Sequence, residues 1–97
     1  MTKIKLVAKR WLKPGAWDEY LALAQTLVEQ TRQEAGCLDY ALYGVKEEDL
    51  VCMMETWADQ ESLAAHAARL QAEDWGGRLN AFADPARPPL IEKYHEL

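Results

Sequence analysis

The sequence has few of the residues that build disulfide frameworks, zinc sites or nucleic-acid surfaces. Its two cysteines, Cys37 and Cys52, are too few for a disulfide framework, and no further cysteine or close histidine gives zinc spacing. We expect both to be small buried hydrophobic residues in a reducing compartment. Sixteen acidic residues against eleven basic ones give a formal net charge of -5, which repels phosphate backbones and anionic lipids. We therefore expect no nucleic-acid partner and no membrane partner.

Long apolar runs and cofactor signatures are also missing. No window approaches the roughly 18 apolar residues of a membrane-spanning helix, and no signal-peptide core follows the basic segment from Met1 to Trp11. We expect a cytoplasmic protein. The motifs G-x-G-x-x-G, G-x-x-x-x-G-K and H-E-x-x-H are absent, so the sequence predicts no bound cofactor and no metal. A chain of 97 residues, 49% of them hydrophobic, is expected to form one domain over residues 1–97.

Hydrophobic periodicity predicts the order βαββαβ. A period of two marks the strands, and apolar residues three and four apart mark the helices. Gly36 is the expected stop of the first helix, Asp59 the expected cap of the second, and Gly76-Gly77 an expected interruption of a further helical piece. The predicted elements are the strand Lys3 to Trp11, the helix Trp17 to Thr31, the strands Cys37 to Val45 and Leu50 to Trp57, the helix from Asp59, the helical piece Asp74 to Ala83, and the strand Leu90 to His95.

This order is typical of an α+β, ferredoxin-like fold, in which a four-stranded antiparallel sheet carries its helices on one face. The run Leu50 to Met54 is apolar without alternation, which indicates that both faces of that strand are covered. The chain has no further element for the second face. We therefore expect a homodimer that packs sheet to sheet.

Three stretches resemble the antibiotic biosynthesis monooxygenase family, and the resemblance extends from Ile4 to Tyr94. They are Thr31 to Tyr40, with glycine and cysteine at the helix-to-strand turn; Glu55 to Asp59, with Glu-x-Trp; and Leu63 to His66. The resemblance implies a dimeric α/β barrel. After His66 the usual His-Phe pair is missing, and Glu73 to Gly77 stands near its place.

The resemblance implies a cofactor-free monooxygenase, similar to quinol monooxygenases, that converts a quinol, anthrone or similar electron-rich phenol to a quinone with dioxygen. The implied ligands are a small aromatic substrate and dioxygen. Two alternatives stay open: an isomerase of a small metabolite, phosphorylated or not, that uses the same pocket, and a non-catalytic ligand-binding or dimerisation module. Haem degradation is disfavoured, because that branch uses an asparagine on the first strand and the only asparagine here is Asn80.

The candidate catalytic residue is His66, which lies on the apolar stripe of the second helix and faces the sheet. It is the expected proton acceptor; the alternative is a core histidine with one hydrogen-bond partner. Met53, Glu55 and Trp57 project to one face of their strand. A carboxylate there is expected to sit at an edge, to pair with a cation such as Lys5 or Lys9, or to line a wet cavity.

Aromatic side chains are the expected walls of a flat substrate slot. Trp57, Tyr40 and Trp75 are the predicted substrate contacts, together with Met53 and Glu55, and Phe82 is a further candidate. Aromatic residues at such spacings also serve simply as core. The basic residues crowded on the first strand and its turn are interpreted as a solvated strand edge: Lys3, Lys5, Lys9, Arg10 and Lys13.

Overall fold

The predicted βαββαβ fold is confirmed in the computed structural model, which describes residues 2–97; Met1, where the expected domain begins, lies outside the described residues. The prediction and the structure agree on nearly every element. The elements are β1 (Ile4–Trp11), α1 (Trp17–Thr31), β2 (Cys37–Val45), a 3-10 turn (Lys46–Glu48), β3 (Leu50–Trp57), α2 (Gln60–Ala72), α3 (Trp75–Asn80) and β4 (Leu90–His95).

The four strands form one antiparallel sheet in the order β2-β3-β1-β4. β3 and β1 are therefore central, which explains why the most apolar strand of the sequence is β3. Leu6 lies opposite Glu55, Ala8 opposite Met53 and Arg10 opposite Val51. Because side chains alternate along a strand, these residues all point to the same face, which the helices cover.

The helices begin and end where local sequence favours it. Pro14 and Gly15, the latter at φ 82°, form the turn before α1, and the buried stripe of α1 consists of Tyr20, Ala24, Leu27, Val28 and Thr31. Asp59 caps α2 as predicted, since its carboxylate accepts a hydrogen bond of 2.7 Å from the backbone N–H of Ser62. Capping of this kind typically stabilises a helix by about 1 kcal/mol.

The structure corrects three details of the prediction. α3 runs through Gly76-Gly77 without interruption, because these glycines lie on its exposed side and the helix is anchored by the buried Trp75 and Leu79. α1 ends at Thr31, ahead of Gly36. Gly36 instead provides the φ of 81° in the turn into β2.

The third correction concerns the start of β2. The strand was expected to place Leu38, Tyr40 and Leu42 on one face. A register shift between Cys37 and Asp39 breaks this alternation, so Leu38 is exposed while Tyr40 and Leu42 face the helices. None of the helices within residues 2–97 is long and apolar enough to cross a membrane.

The second face of the sheet carries no helix. The register places on it a set of apolar side chains from all four strands, and we call this set the open face: Val7, Trp11, Ala41, Tyr43, Val45, Leu50, Cys52, Met54, Leu90 and Tyr94. Tyr43 is 56% exposed and Tyr94 is 52% exposed. The apolar side chains of β3 thus point alternately into the helix-covered core and onto this open face.

Candidate active site

A cavity of about 460 Å³ lies between the sheet and the helices α2 and α3. Most of its wall is apolar, and the polar side chains in it come from strands and helices that are distant in sequence. Small-molecule sites in proteins commonly have this size and character. The polar wall residues are Arg10, Tyr40, Glu55, His66, Gln71 and Asp74; the apolar ones include Leu6, Ala8, Met53, Leu63, Leu70, Trp75, Leu79 and Ile91.

His66 lies in this wall, as the sequence predicts for a candidate base. Its side chain projects from α2 toward the sheet and is nearly fully buried, with 2% of the residue exposed. The Nδ1 atom lies 2.8 Å from Glu34 Oε2, whereas the Nε2 atom is buried without a hydrogen-bond partner among the described residues. Because a carboxylate only accepts hydrogen bonds, Nδ1 carries the proton and Nε2 keeps its lone pair.

Glu34 fixes the orientation of the imidazole and is itself held by Arg69. An Arg69 Nη2 atom donates to Glu34 Oε2 at 3.1 Å and to Thr31 Oγ1 at 3.1 Å. Burial raises the pKa of Glu34, but the bonds from Arg69 and His66 outweigh burial and hold that pKa below its usual value. Glu34 is therefore an anion at neutral pH.

Burial has the opposite consequence for His66. It lowers the pKa of the imidazole because the charged form is disfavoured away from water, and the Glu34 carboxylate only partly restores it. The imidazole is therefore neutral at physiological pH. A neutral imidazole with a free Nε2 lone pair is the form that accepts a proton.

Glu55 is the second ionisable group at this end of the cavity. Its Oε1 atom accepts a hydrogen bond of 2.9 Å from Trp57 Nε1 and lies 3.9 Å from His66 Nε2. Burial raises the pKa of Glu55 to about 7, against the hydrogen bond from Trp57, and the negative charge of Glu34 raises it further. Glu55 therefore changes protonation near neutral pH, where the adjacent imidazole is already neutral.

Aromatic rings enclose the imidazole on two sides. The Tyr40 ring packs edge-on to it with centroids 5.4 Å apart, and the Trp57 ring lies tilted with centroids 4.6 Å apart. Burial raises the pKa of the Tyr40 hydroxyl, with the Glu55 charge acting in the same direction, so Tyr40 stays protonated. The rings restrict His66 to one rotamer and keep water away from it.

The structure brings together most, though not all, of the predicted site residues. Met53, Glu55, Tyr40 and Trp75 line the cavity with His66. Trp57 does not: it is fully buried behind the wall, where it contacts Glu55 and His66. The predicted direct substrate contact of Trp57 therefore becomes a supporting contact. Phe82 packs edge-on against Tyr20 at 6.1 Å and is also outside the cavity wall.

The predicted pairing of Glu55 with Lys5 or Lys9 is wrong. Both lysines point to the other face of the sheet, where Lys9 Nζ forms an ion pair with Glu92 Oε1 at 3.2 Å. Glu55 instead lines the cavity, which is one of the options that the sequence left open. Arg10 also differs from its interpretation as part of a solvated edge, since it lies in the cavity wall.

Sequence reasoning missed the residues that position His66. Glu34 follows α1 in an irregular turn and Arg69 is three residues beyond His66, so no periodic pattern connects them. One signal existed in Gly36, where a Cβ would overlap the Ser62 side chain. The missing side chain lets α2 approach the turn that carries Glu34. Within residues 2–97, no three His, Cys, Asp or Glu side chains are grouped so as to hold a metal ion.

Comparison with known proteins places this geometry in context. Residues 3–77 match the family model described as antibiotic biosynthesis monooxygenase. The chain is 38% identical over 86 residues to a Bacillus subtilis (strain 168) protein named "Putative monooxygenase YcnE", and the match covers 84% of this chain and 90% of that protein.

Two further similarities concern proteins without a stated activity. The chain is 36% identical over 56 residues to the uncharacterized protein sll1783 of Synechocystis sp., a match that spans 57% of this chain and 38% of that protein. A solved structure of a conserved protein from Methanosarcina mazei Go1 superposes with a TM-score of 0.86 at 32% identity, covering 97% of this chain and 92% of that one.

Proposed function

The chain belongs to the antibiotic biosynthesis monooxygenase family, and from that premise we propose that it is a cofactor-independent monooxygenase of electron-rich phenols. The substrate class is a quinol, an anthrone or a related phenol, and the product is a quinone. The single observation that carries the proposal is the His66–Glu55 pair in the wall of an apolar cavity, with the Nδ1 atom of His66 held by Glu34.

The substrate supplies the electrons in this reaction. His66 Nε2 removes the acidic proton of the phenol or anthrone, and the resulting anion passes one electron to dioxygen. The two radicals combine at a carbon that bears hydrogen, which forms a carbon–oxygen bond and a peroxide. Loss of water from the peroxide then breaks the oxygen–oxygen bond and the carbon–hydrogen bond at that carbon and leaves a carbonyl group. One oxygen atom enters the product and the other leaves as water, so atoms and electrons balance.

The roles of the wall residues follow from their protonation. Nε2 of His66 has the free lone pair and takes up the substrate proton, beside Glu55, whose pKa burial raises to about 7. His66 returns that proton to the peroxide as water leaves. Met53, Tyr40 and Trp75 supply the apolar wall that excludes bulk water.

We propose a homodimer formed through the open face as the functional unit. Sheets pack face to face about 10 Å apart when apolar side chains interdigitate, and the open face presents such side chains from every strand. Lys9 and Glu92, which also point to this face, form an ion pair with each other. A second copy covers the exposed rings of Tyr43 and Tyr94.

The isomerase alternative has less support for a phosphorylated substrate. A phosphate group is usually bound by two or three basic side chains, and Arg10 is the one Lys or Arg in the cavity wall as far as residues 2–97 define it. A non-catalytic binding module would have little need of an imidazole with a free Nε2 lone pair beside a second titratable group. These two alternatives become outcomes of the test.

The decisive experiment is oxygen uptake with a panel of hydroquinones under ¹⁸O₂ in metal-free and flavin-free buffer. We expect protein-dependent uptake and one ¹⁸O atom in the quinone product. His66→Ala should lower turnover by about 10²-fold, because a positioned base typically contributes that much or more. Binding without oxygen uptake would favour a binding module or an isomerase. Full activity in His66→Ala would contradict the assignment of the base.

A further inference from the structure

Arg10 is a charged side chain of the cavity that the proposed reaction does not use. It projects from β1 into the wall of the same cavity as His66 and is half-buried. Its Nε atom donates to Asn80 Oδ1 at 2.8 Å, and its Nη1 atom donates to Tyr20 Oη at 3.2 Å. Two neutral acceptors thus fix the guanidinium in place.

The guanidinium has no carboxylate partner. Across residues 2–97 no Asp or Glu oxygen lies within 4.0 Å of it, whereas Arg69, the guanidinium behind His66, is bound to both Glu34 and Glu73. A guanidinium presents five N–H donors in a plane, and Arg10 uses two of them on protein acceptors. The remaining N–H donors can form two parallel hydrogen bonds to a planar anion.

The position of Arg10 sets the length of the molecule that fits. Arg10 lies opposite Val51 in the register and Leu6 lies opposite Glu55, so Arg10 and Glu55 are four residues apart along β1. Four strand residues span roughly 13 Å between Cα atoms. The side chains project into the intervening space, which leaves room for a flat molecule on the order of 10 Å long. The wall between them is the apolar stretch of Ala8 and Met53.

From this arrangement we propose that Arg10 is the anchor for a carboxylate on the substrate, so that the cavity selects aromatic acids of two or three fused rings. The inference rests on the proposed function, because it takes the same cavity as the substrate site. The carboxylate binds Arg10 at one end, the rings lie over Ala8 and Met53, and the reacting ring lies beside His66 and Glu55. Arg10 determines specificity and takes no part in the proton transfer.

The test measures binding instead of turnover, so that it is independent of the monooxygenase reaction. The probes are anthraquinone-2-carboxylate and the matched neutral amide, anthraquinone-2-carboxamide, titrated by calorimetry. We expect the wild-type protein to bind the carboxylate roughly 10- to 100-fold more tightly than the amide, the difference that a charge-assisted bidentate contact provides. Arg10→Gln should abolish that preference while it leaves the affinity for the amide within about twofold.

Two further variants separate the anchor from general effects. Arg10→Lys retains the charge without the planar donor pair and should keep only part of the preference. Arg87→Gln removes a guanidinium that lies outside the cavity, over the Trp11 ring at 5.0 Å, and should leave the preference intact. The affinity for the amide reports whether each variant still has an intact cavity.

Equal affinity of the wild-type protein for the two probes would overturn the inference, as would a preference that survives Arg10→Gln. Failure of both probes to bind would overturn it as well. None of these results bears on the oxygen-uptake test, because simple hydroquinones carry no carboxylate. Uptake of oxygen with hydroquinones but no carboxylate preference would retain the proposed function and reject the Arg10 anchor.

Discussion

The two faces of the sheet differ in what each leaves unsatisfied. The helix-covered face packs an apolar core around the cavity, yet it leaves buried polar atoms, among them His66 Nε2, without a partner in the described part of the chain. The open face carries no helix, and it leaves large apolar side chains such as Tyr43 and Tyr94 in solvent. One face leaves buried polar atoms without hydrogen bonds, and the other leaves apolar side chains exposed to solvent.

This difference shows which kind of partner each face calls for. An unpaired buried nitrogen costs on the order of 1–3 kcal/mol. The described residues hold two such atoms, His66 Nε2 and Arg69 Nε, and only His66 lies in the cavity wall, which favours a chemical role for its Nε2 atom. A broad set of exposed apolar side chains carries no such chemistry and favours association with another surface. We therefore assign proton transfer to the covered face and assembly to the open face, and three predictions test that division.

The largest effect is expected on the open face. Met54 points to this face from the central strand β3, and Met54→Glu would place an unpaired carboxylate in the middle of the proposed interface. Removing such a charge from water costs several kcal/mol, so the dimer dissociation constant should rise by roughly 10²- to 10³-fold in sedimentation equilibrium. Ala65→Glu adds the same charge to the exposed side of α2 and should leave the dimer intact. A wild-type protein that sediments as an 11.0 kDa species would contradict the assignment of assembly to the open face.

The difference between the faces also explains what could be predicted from the sequence. Elements and topology follow from periodicity, which depends only on neighbours along the chain, and β3 through its apolar run even indicates two covered faces. The start of β2 was misjudged because a register shift leaves no periodic trace and moves Leu38 into solvent. Patterns of local period therefore recover the fold but not its irregularities.

The candidate site was only partly predictable for a related reason. His66 and Glu55 were found because each is a polar residue in an apolar pattern, which is a local anomaly. Glu34 and Arg69 position His66 across long sequence separations, and Arg10 looks from sequence like one more basic residue of β1. Trp57 was expected in the wall, but it is fully buried against His66 and lies behind the wall. Such relations depend on tertiary packing and have no signature in spacing.

The second prediction concerns the stability cost of Glu55 on the covered face. Burial raises the pKa of Glu55 from an ordinary value of 4.5 to about 7. Between these pH values the folded protein holds a proton that the unfolded chain has released, so stability is greatest below about pH 4.5 and falls as the pH rises to 7. Glu55→Gln keeps an oxygen that accepts the hydrogen bond from Trp57 Nε1. Because the amide does not ionise, the stability of this variant should not fall with pH in this way.

The measurement is urea unfolding of Glu55→Gln and of the wild-type protein at equal concentration from pH 4.5 to 8. As the pH rises over this range, the free energy of unfolding of the variant should increase by about 3 kcal/mol relative to that of the wild type. At pH 4.5 the two proteins should differ little, which provides the internal control for packing. A difference that stays constant with pH would show that burial does not raise the pKa of Glu55.

The smallest effect is expected from Glu34, which touches His66 without entering the cavity wall. Glu34→Gln still accepts the hydrogen bond from Nδ1 but loses the negative charge that raises the pKa of His66. The imidazole should become a weaker base, so turnover should fall roughly tenfold and the acidic limb of the pH–rate profile should move to lower pH. Glu73→Gln is the matched control, because Glu73 also binds Arg69 but does not contact His66, and it should leave the limb in place. A shift of the limb to higher pH in Glu34→Gln, or the same shift in Glu73→Gln, would show that Glu34 does not tune His66 through its charge.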